Sequence, residues 1–279
     1  MENLDNKVLI SVVLPTYNGS KRISKAIESV LLQSMKDWEL IIIDDGSTDD
    51  TEKTVKEFCL RDSRIIYIKN EQNLGLQKTL NKGIKIAKGK HIARIDDDDV
   101  WIDENKLKEQ VEFLEKNSEY VLVGTGVVVV NEEGEQVYKY LNPEKDEEIK
   151  NKILWKNPFA HSSVMFTKKD FDIVGGYNED ASSKNVEDYD LWLSLGTVGK
   201  FHNLQTYSLK FMAREGSITT KNRKNQLKKN IQLAKKYKKL YPNYFISLLK
   251  SYFRLWLFNI YTKIPQRVKY LIIRVYKKY

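Results

Sequence analysis

The sequence predicts an α/β fold: a mainly parallel sheet flanked by helices, followed by a helical C-terminal extension. Three observations predict it. Short apolar runs alternate with amphipathic stretches of roughly 10–15 residues, the spacing of βαβ units joined by right-handed crossovers. Turn-forming or acidic residues directly follow the ends of those runs. Charge is divided along the chain: 17 of the 47 Lys and Arg, and none of the 38 Asp and Glu, lie in residues 216–279.

The elements follow in order. VLISVVLP (8–15) is a buried strand ending in a turn at Tyr17-Asn18-Gly19, and Ser20 is placed to cap a helix whose Ile23, Ile27, Val30 and Leu31 share one face. WELIIID (38–44) is a second strand, followed by a helix opening at Ser47/Thr48 with Asp49, Asp50 and Glu52 at its positive end. RIIYIK (64–69) is a third strand, and the helix through 75–88 stops at Gly89. HIARI (91–95) is a fourth strand, and 103–117 a helix with Leu107, Val111 and Leu114 inward. Beyond it, 120–130 and 137–141 read as a hairpin, 162–166 as a strand, 186–196 as a short helix and 201–213 as paired strands.

The whole chain of 279 residues has a net charge of +9, but residues 1–215 hold 30 basic against 38 acidic residues. The chain therefore reads as a catalytic unit over 1–215 and a basic extension over 216–279, each with its own partners. One cysteine, Cys59, rules out an internal disulfide and a cysteine-clustered zinc site. No cleavable apolar leader and no uncharged run long enough to span a bilayer is apparent, so a cytoplasmic location is expected.

Four segments carry candidate chemistry. IDDDDV (95–100) places four adjacent carboxylates at a strand end, where they repel one another unless a cation or donors compensate. In extended chain Asp96 and Asp98 share a face and Asp97 and Asp99 the other, and a carboxylate pair facing a diphosphate suits Mn²⁺ or Mg²⁺. A solvated acidic loop is the plain alternative. DDGSTD (44–49) offers Asp45 to a base N–H or ribose hydroxyls, or is only a helix cap. LPTYNGS (14–20) offers Tyr17 for stacking on a base, or for packing. VEDYDLWLSLG (186–196) opens a helix with Glu187, Asp188 and Asp190, of which one carboxylate could deprotonate an acceptor hydroxyl. His161, in FAHSSVMF, is a metal or phosphate ligand or a buried structural histidine.

The succession VVLPTYN, IIIDDGSTDDT, NLGLQKTLNKGI, RIDDDD, HSSVMF and EDYDLWLSL resembles the family 2 inverting glycosyltransferases of the GT-A fold, over about residues 8–215. The resemblance implies that Pro15, Tyr17 and Asp45 line a nucleoside pocket for a UDP-sugar, with Asp97 also on the donor side. It implies that Asp96 and Asp98 form the DxD motif, Asp98 as the main metal ligand and Asp96 near ribose or metal. Asp188 would be the general base. Where many relatives carry an arginine in the segment QKTLNKG this chain has Leu80, leaving Lys78 as the candidate charge near the phosphates. The implied reaction moves a hexose or N-acetylhexosamine to a saccharide acceptor, lipid-linked by expectation, in assembly of a bacterial surface polysaccharide. A nucleotidyltransferase and a non-catalytic nucleotide-sugar binding module are the alternatives.

In the extension, Phe245, Leu248, Leu249, Tyr252, Phe253, Trp256, Leu257 and Ile260 fall on one helical face and Ser247, Lys250, Ser251 and Arg254 on the other. Pro265 interrupts the pattern, and Val268, Leu271, Ile272 and Val275 resume it. An apolar aromatic face with flanking lysines describes an interfacial helix, here at the inner face of the cell membrane. The alternative is a helix packed on the catalytic unit or on a partner subunit. No nucleic-acid recognition motif accompanies the basic residues.

Overall fold

The computed structural model describes residues 8–213 and 222–264. The alternating half is β1 (Ile10–Thr16), α1 (Ile23–Leu31), β2 (Trp38–Asp44), α2 (Thr51–Cys59), β3 (Ile65–Lys69), α3 (Leu76–Ile86) and β4 (His91–Arg94). There follow β5 (Val100–Trp101), α4 (Lys106–Lys116), β6 (Tyr120–Val130), β7 (Gln136–Tyr140) and α5 (Asp146–Lys150). The last elements are β8 (Met165–Thr167), α6 (Lys168–Ile173), α7 (Glu187–Leu195), β9 (Lys200–Met212), α8 (Arg223–Lys236) and α9 (Tyr244–Lys263).

All nine strands join one sheet in the order β3-β2-β1-β4-β8-β6-β9-β5, with β7 paired to β6. Strands β3, β2, β1 and β4 are parallel, as the βαβ spacing requires. The other half is different: β8 is antiparallel to both β4 and β6, β9 runs parallel to β6, and β5 is antiparallel to β9. The sheet is therefore mixed rather than mainly parallel, because β8 enters between β4 and β6 antiparallel to both and β7 returns on β6 through a short hairpin. Residues 201–213, expected as two strands, form the one long strand β9, which follows β6 through several register shifts. The 162–166 strand is also shorter than expected, since His161–Ser163 turn in a 3₁₀ coil before β8.

Alternate residues of the central strands feed two cores, one on each face. Val12, Leu14, Leu40 and Ile42 pack with α1, α2 and α4; Val13, Ile41 and Ile43 pack with α3 and α7. With both faces covered, every residue of β1 and β2 is buried. Register sets the functional edge. Thr16 pairs with Asp44 and Asp44 with Lys69, so β1, β2 and β3 end level. Val13 pairs with Arg94, which brings the residues just after β4 beside Pro15 and Thr16.

Helix starts differ from expectation at two places. α1 begins at Ile23, and Ser20 does not cap it; its Oγ donates instead to Asp49 Oδ2 at 2.7 Å. α2 begins at Thr51, whose side chain bonds to Asp49 and to the Gly19 N–H, tying the β1 and β2 loops together.

The expected boundary at 215/216 lies outside the described residues, as do the N-terminal residues 1–7 and the pattern expected beyond Pro265. The first half of the extension is part of the catalytic unit's interior. Leu233, Ala234, Tyr237 and Tyr241 join the same core as Leu191, Trp192 and Leu195 of α7. Tyr241 donates to Leu193 O at 2.7 Å, and Tyr237 and Lys236 both donate to the buried Asp190 carboxylate at 2.9 Å. This contact makes α8 a clamp on α7, the helix that opens with Asp188. Replacing Tyr237 by Ala should therefore cost about 3 kcal/mol, read as a lower urea midpoint. A surface-like loss under 0.5 kcal/mol would show that α8 does not belong to the folded unit.

Candidate functional site

At the ends of β1 and β2, backbone and side chains build a fixed loop platform. Asp44 is fully buried; Oδ1 accepts from Ser47 N at 2.7 Å and Oδ2 from Tyr67 OH at 2.6 Å. Asp45 accepts from Leu74 N at 2.8 Å, Gly75 N at 2.9 Å and Asn70 Nδ2 at 2.9 Å, which fastens the β3–α3 loop against the end of β2. Gly46 at φ +80° presses on the backbone of Gln72 and Asn73, leaving no space for a Cβ. Pro15 is buried within β1, while Tyr17 stands half-exposed above the platform and Asn18 Oδ1 accepts from Thr48 N at 2.9 Å. Lys78 is exposed on α3, and Leu80 is fully buried, so an arginine at 80 would face the core rather than a ligand.

The four aspartates after β4 do not continue as extended chain. Asp99 N donates to Asp96 O at 3.2 Å and closes a turn, so the expected two-and-two alternation is replaced. Asp97 alone turns toward β1, where Oδ2 accepts from Thr16 Oγ1 at 2.7 Å and from Arg22 at 3.1 Å. It thereby holds the β1–α1 loop. Asp96 faces the other way and is bridged by both guanidinium nitrogens of Arg94 at 2.5 Å; Arg94 itself is fully buried. Ser162 adds a third tie, accepting from Asp96 N at 3.0 Å. Burial opposes ionisation of Asp96, but the Arg94 charge and hydrogen bonds outweigh it and hold the carboxyl below its usual range. Asp98 is half-buried on the turn. Asp99 is buried, and its Oδ1 has no hydrogen-bond partner. Burial first, then the charges of Asp96 and Asp98, push Asp99 well above the ordinary carboxylate range.

The third group converges from α7 and the 3₁₀ turn. His161 shares a 2.6 Å hydrogen bond with Tyr177 OH and packs edge-on against Trp192. Burial, then the nearby Arg94 charge, hold the imidazole well below its usual value, so it is neutral. Asp188 accepts from Asn157 Nδ2 at 2.8 Å. Burial raises its pKa, and the bonds from Tyr189 N–H and Asn157 only partly offset this. Arg94 and Asp96 act electrostatically on His161, Tyr177 and Asp188 alike, while the contacts of Arg94 itself are to Asp96 and Ser162. Asp45 and Pro15 sit on the neighbouring strand ends, and Lys78 stands on the helix that follows the Asp45-bound loop.

The donor set fits a divalent cation of one kind. Among the described residues no three His, Cys, Asp or Glu side chains form a site that could hold a metal by themselves. The partnerless Asp99 oxygen and the crowded carboxylates of the turn are what a divalent cation would relieve, if oxygens from a ligand completed its shell. His161 is bonded to Tyr177 through Nε2 and is neutral.

Sequence comparison decides the family. Glycosyl transferase family 2 matches residues 11–174, which include β1 to β4, the Asp turn and the 3₁₀ turn. The chain belongs to this family. EpsE of Bacillus subtilis is 37% identical over 77% of this chain and 76% of its own. The Escherichia coli UDP-Glc:alpha-D-GlcNAc-diphosphoundecaprenol beta-1,3-glucosyltransferase WfgD is 35% identical over 67% of this chain and 69% of its own. In fold, the crystal structure of S. aureus TarS matches with a TM-score of 0.69 over 94% of this chain and 77% of TarS, at 18% identity; TarS has also been crystallised with UDP-GlcNAc. This glycosyltransferase therefore has the GT-A-like fold, and glycosyl transfer takes precedence over nucleotidyl transfer.

Three site residues of this family member escape a reading by motif: Arg94, Asn157 and Ser162. Arg94 had a signal, since an arginine inside a buried strand must find a carboxylate, and the next residues are aspartates. Asn157 and Ser162 had none, because their roles depend on how distant loops fold back.

Two outcomes follow from this electrostatics. Arg94→Gln leaves Asp96, its side chain 35% exposed, charged and without its partner, and should cost about 1–3 kcal/mol in urea unfolding, with a loss below about 0.5 kcal/mol excluding the pair as a support. Glu187 is pushed up to about 7 by burial first and then by Asp188, against an ordinary value near 4.5. Because the folded chain holds this proton more tightly, the associated stability is complete below about pH 4.5 and is lost as pH rises to about 7. Glu187→Gln fixes the uncharged form, so it should match the wild type near pH 4.5 and exceed its stability at pH 8 by on the order of 3 kcal/mol. A difference that does not change with pH would contradict the assignment.

Proposed function

We propose that this glycosyltransferase moves a hexose or N-acetylhexosamine from a UDP-sugar to a saccharide acceptor carried on a lipid, in the assembly of a bacterial surface polysaccharide. The observation that carries the reading is the acidic turn after β4, where Arg94 holds Asp96 in an ion pair and an Asp99 oxygen has no partner. WfgD, named for a UDP-glucose donor and a diphosphoundecaprenol acceptor, supports the donor and acceptor classes, and TarS crystallised with UDP-GlcNAc supports the nucleotide.

Each residue then has a task. Pro15, Tyr17 and Asp45 line the nucleoside end, Tyr17 through its exposed ring and Asp45 by holding the 70–75 loop in place. Asp97 holds the loop beneath, and Lys78 approaches the phosphates from α3. Asp98, with Asp96 beside it, would hold Mn²⁺ or Mg²⁺, which when bound neutralises charge on the departing diphosphate. Asp188 accepts the proton of the acceptor hydroxyl. The hydroxyl oxygen bonds to the anomeric carbon as the bond from that carbon to the diphosphate oxygen breaks, and the nucleoside diphosphate leaves with the electron pair. Attack from the face opposite the leaving group inverts the anomeric configuration in one displacement. Burial serves the base, since a carboxyl raised above the usual aspartate range takes up a proton more readily. His161 is neutral and bonded to Tyr177, which positions the turn rather than supplying charge.

Asp188→Asn keeps the shape and the Asn157 neighbour but removes the proton acceptor. Transfer from a UDP-sugar should fall by about 10³-fold or more in kcat, with the Kd for UDP changed less than about twofold. A comparable loss of UDP affinity would show that Asp188 binds donor rather than acting as base.

A further inference from the structure

Helix α9 presents its surfaces in the reverse of the usual order. The residues it presses deepest against the chain are small and polar: Ser247 and Ser251 are buried, and Ser251 Oγ donates to Ser247 O at 2.8 Å. On the opposite side Phe245, Leu249, Phe253, Trp256, Leu257 and Ile260 recur at helical spacing and are exposed, Phe245 to 78% and Leu249 to 72%. Leu248, expected on that outer face, is instead half-buried on the inner one. Contiguous apolar surface of this kind marks an interaction face. The helix is firmly held despite it. Arg254 donates to Trp155 O at 3.0 Å, and the Lys250 ammonium lies 4.8 Å from the Trp155 ring centre.

Charge identifies the occupant. Residues 216–279 contain 17 Lys and Arg and no Asp or Glu. Lys235 reaches the outer face itself, with Nζ 3.2 Å from Tyr252 OH, and Lys238, Lys239 and Lys263 are exposed around the helix ends. Aromatic and aliphatic side chains flanked by cations alone are complementary to the headgroup boundary of an anionic bilayer. No helix among the described residues is long and apolar enough to cross a membrane, so the contact must be lateral. Trp155, which anchors Lys250 and Arg254, lies two residues in sequence from Asn157, the donor to Asp188, so α9 sits on the segment that reaches the site.

We propose that α9 lies flat on an anionic lipid surface through its Phe253–Trp256 side and presents the Asp188 end of the site to an acceptor in that surface. Binding to the surface stands independently of the sugar chemistry; only its purpose rests on the function proposed above. The test is co-sedimentation of the full chain with phosphatidylcholine vesicles, with and without about one-third phosphatidylglycerol, beside a double variant Phe253→Glu/Trp256→Glu. Both side chains are exposed, so the variant should keep the wild-type melting temperature and its response to UDP. The wild type should pellet with the anionic vesicles and only weakly with neutral ones, and the double variant should bind at least tenfold more weakly. A wild type that stays in the supernatant, or a double variant that pellets equally well, overturns the proposal. So does a wild-type dimer in the absence of lipid that the double variant splits, because a second copy would then cover the face. Vesicle binding without transferase activity would sink the proposed function and leave this inference standing.

Discussion

The ion pair between Arg94 and Asp96 is the contact on which the site depends. Four successive aspartates at the edge of a buried sheet would repel one another by several kcal/mol in a partly desolvated setting. A guanidinium sealed at the end of β4 cancels one of these charges and fixes Asp96 in both directions. With Asp96 held, the turn through Asp99 closes, Asp97 bonds to Thr16 and Arg22, and Asp98 stays half-buried on the turn. Burial first, and then the same guanidinium, keep His161 neutral, and Arg94 also acts on Tyr177 and Asp188. One buried charge thus acts on both the acidic turn and Asp188.

Around this centre the fold divides the work between its two sheet halves. The parallel strands end level, at the carboxyl edge where open α/β sheets commonly bind their ligands. The mixed half supplies the 3₁₀ turn and the segment before it, which bring Ser162, His161 and Asn157 to the acidic turn and to α7. Helix α8 then closes over α7 by giving Asp190 two donors. Asp188 and Asp190 sit two positions apart on one helix with opposite duties, the first turned to the site and the second to the core.

Much of this was legible in the sequence where local rules decide the outcome. Period and length gave the helices and strands of the first half, and the level strand ends placed Asp45, Pro15 and the aspartate turn together. Extended geometry failed at 96–99, because a short turn closed by the Asp99 N–H won over strand continuation. The parallel pattern failed beyond α4, where β8 inserts between β4 and β6 and no periodicity announces the insertion. For the extension, composition left both surface contact and packing on the catalytic unit open; Leu233, Tyr237 and Tyr241 in and just after α8 join the core, and α9 keeps an apolar face outside. Arg94 was readable in principle, since a charge within a buried strand requires a counter-charge.

The central claim is that the turn after β4 receives the diphosphate of a nucleotide with a cation anchored at Asp98. The most direct measurement is the melting temperature of the wild type and of Asp98→Ala with UDP or GDP, each with Mn²⁺ and with chelator. Ligand at a hundredfold its Kd stabilises a fold by roughly 2.7 kcal/mol, a shift of about 5–10 °C for a chain of this size. The account predicts that shift with UDP and Mn²⁺, its loss in chelator and its loss in Asp98→Ala. No shift with either nucleotide, or a UDP shift that Asp98→Ala leaves intact, would contradict it.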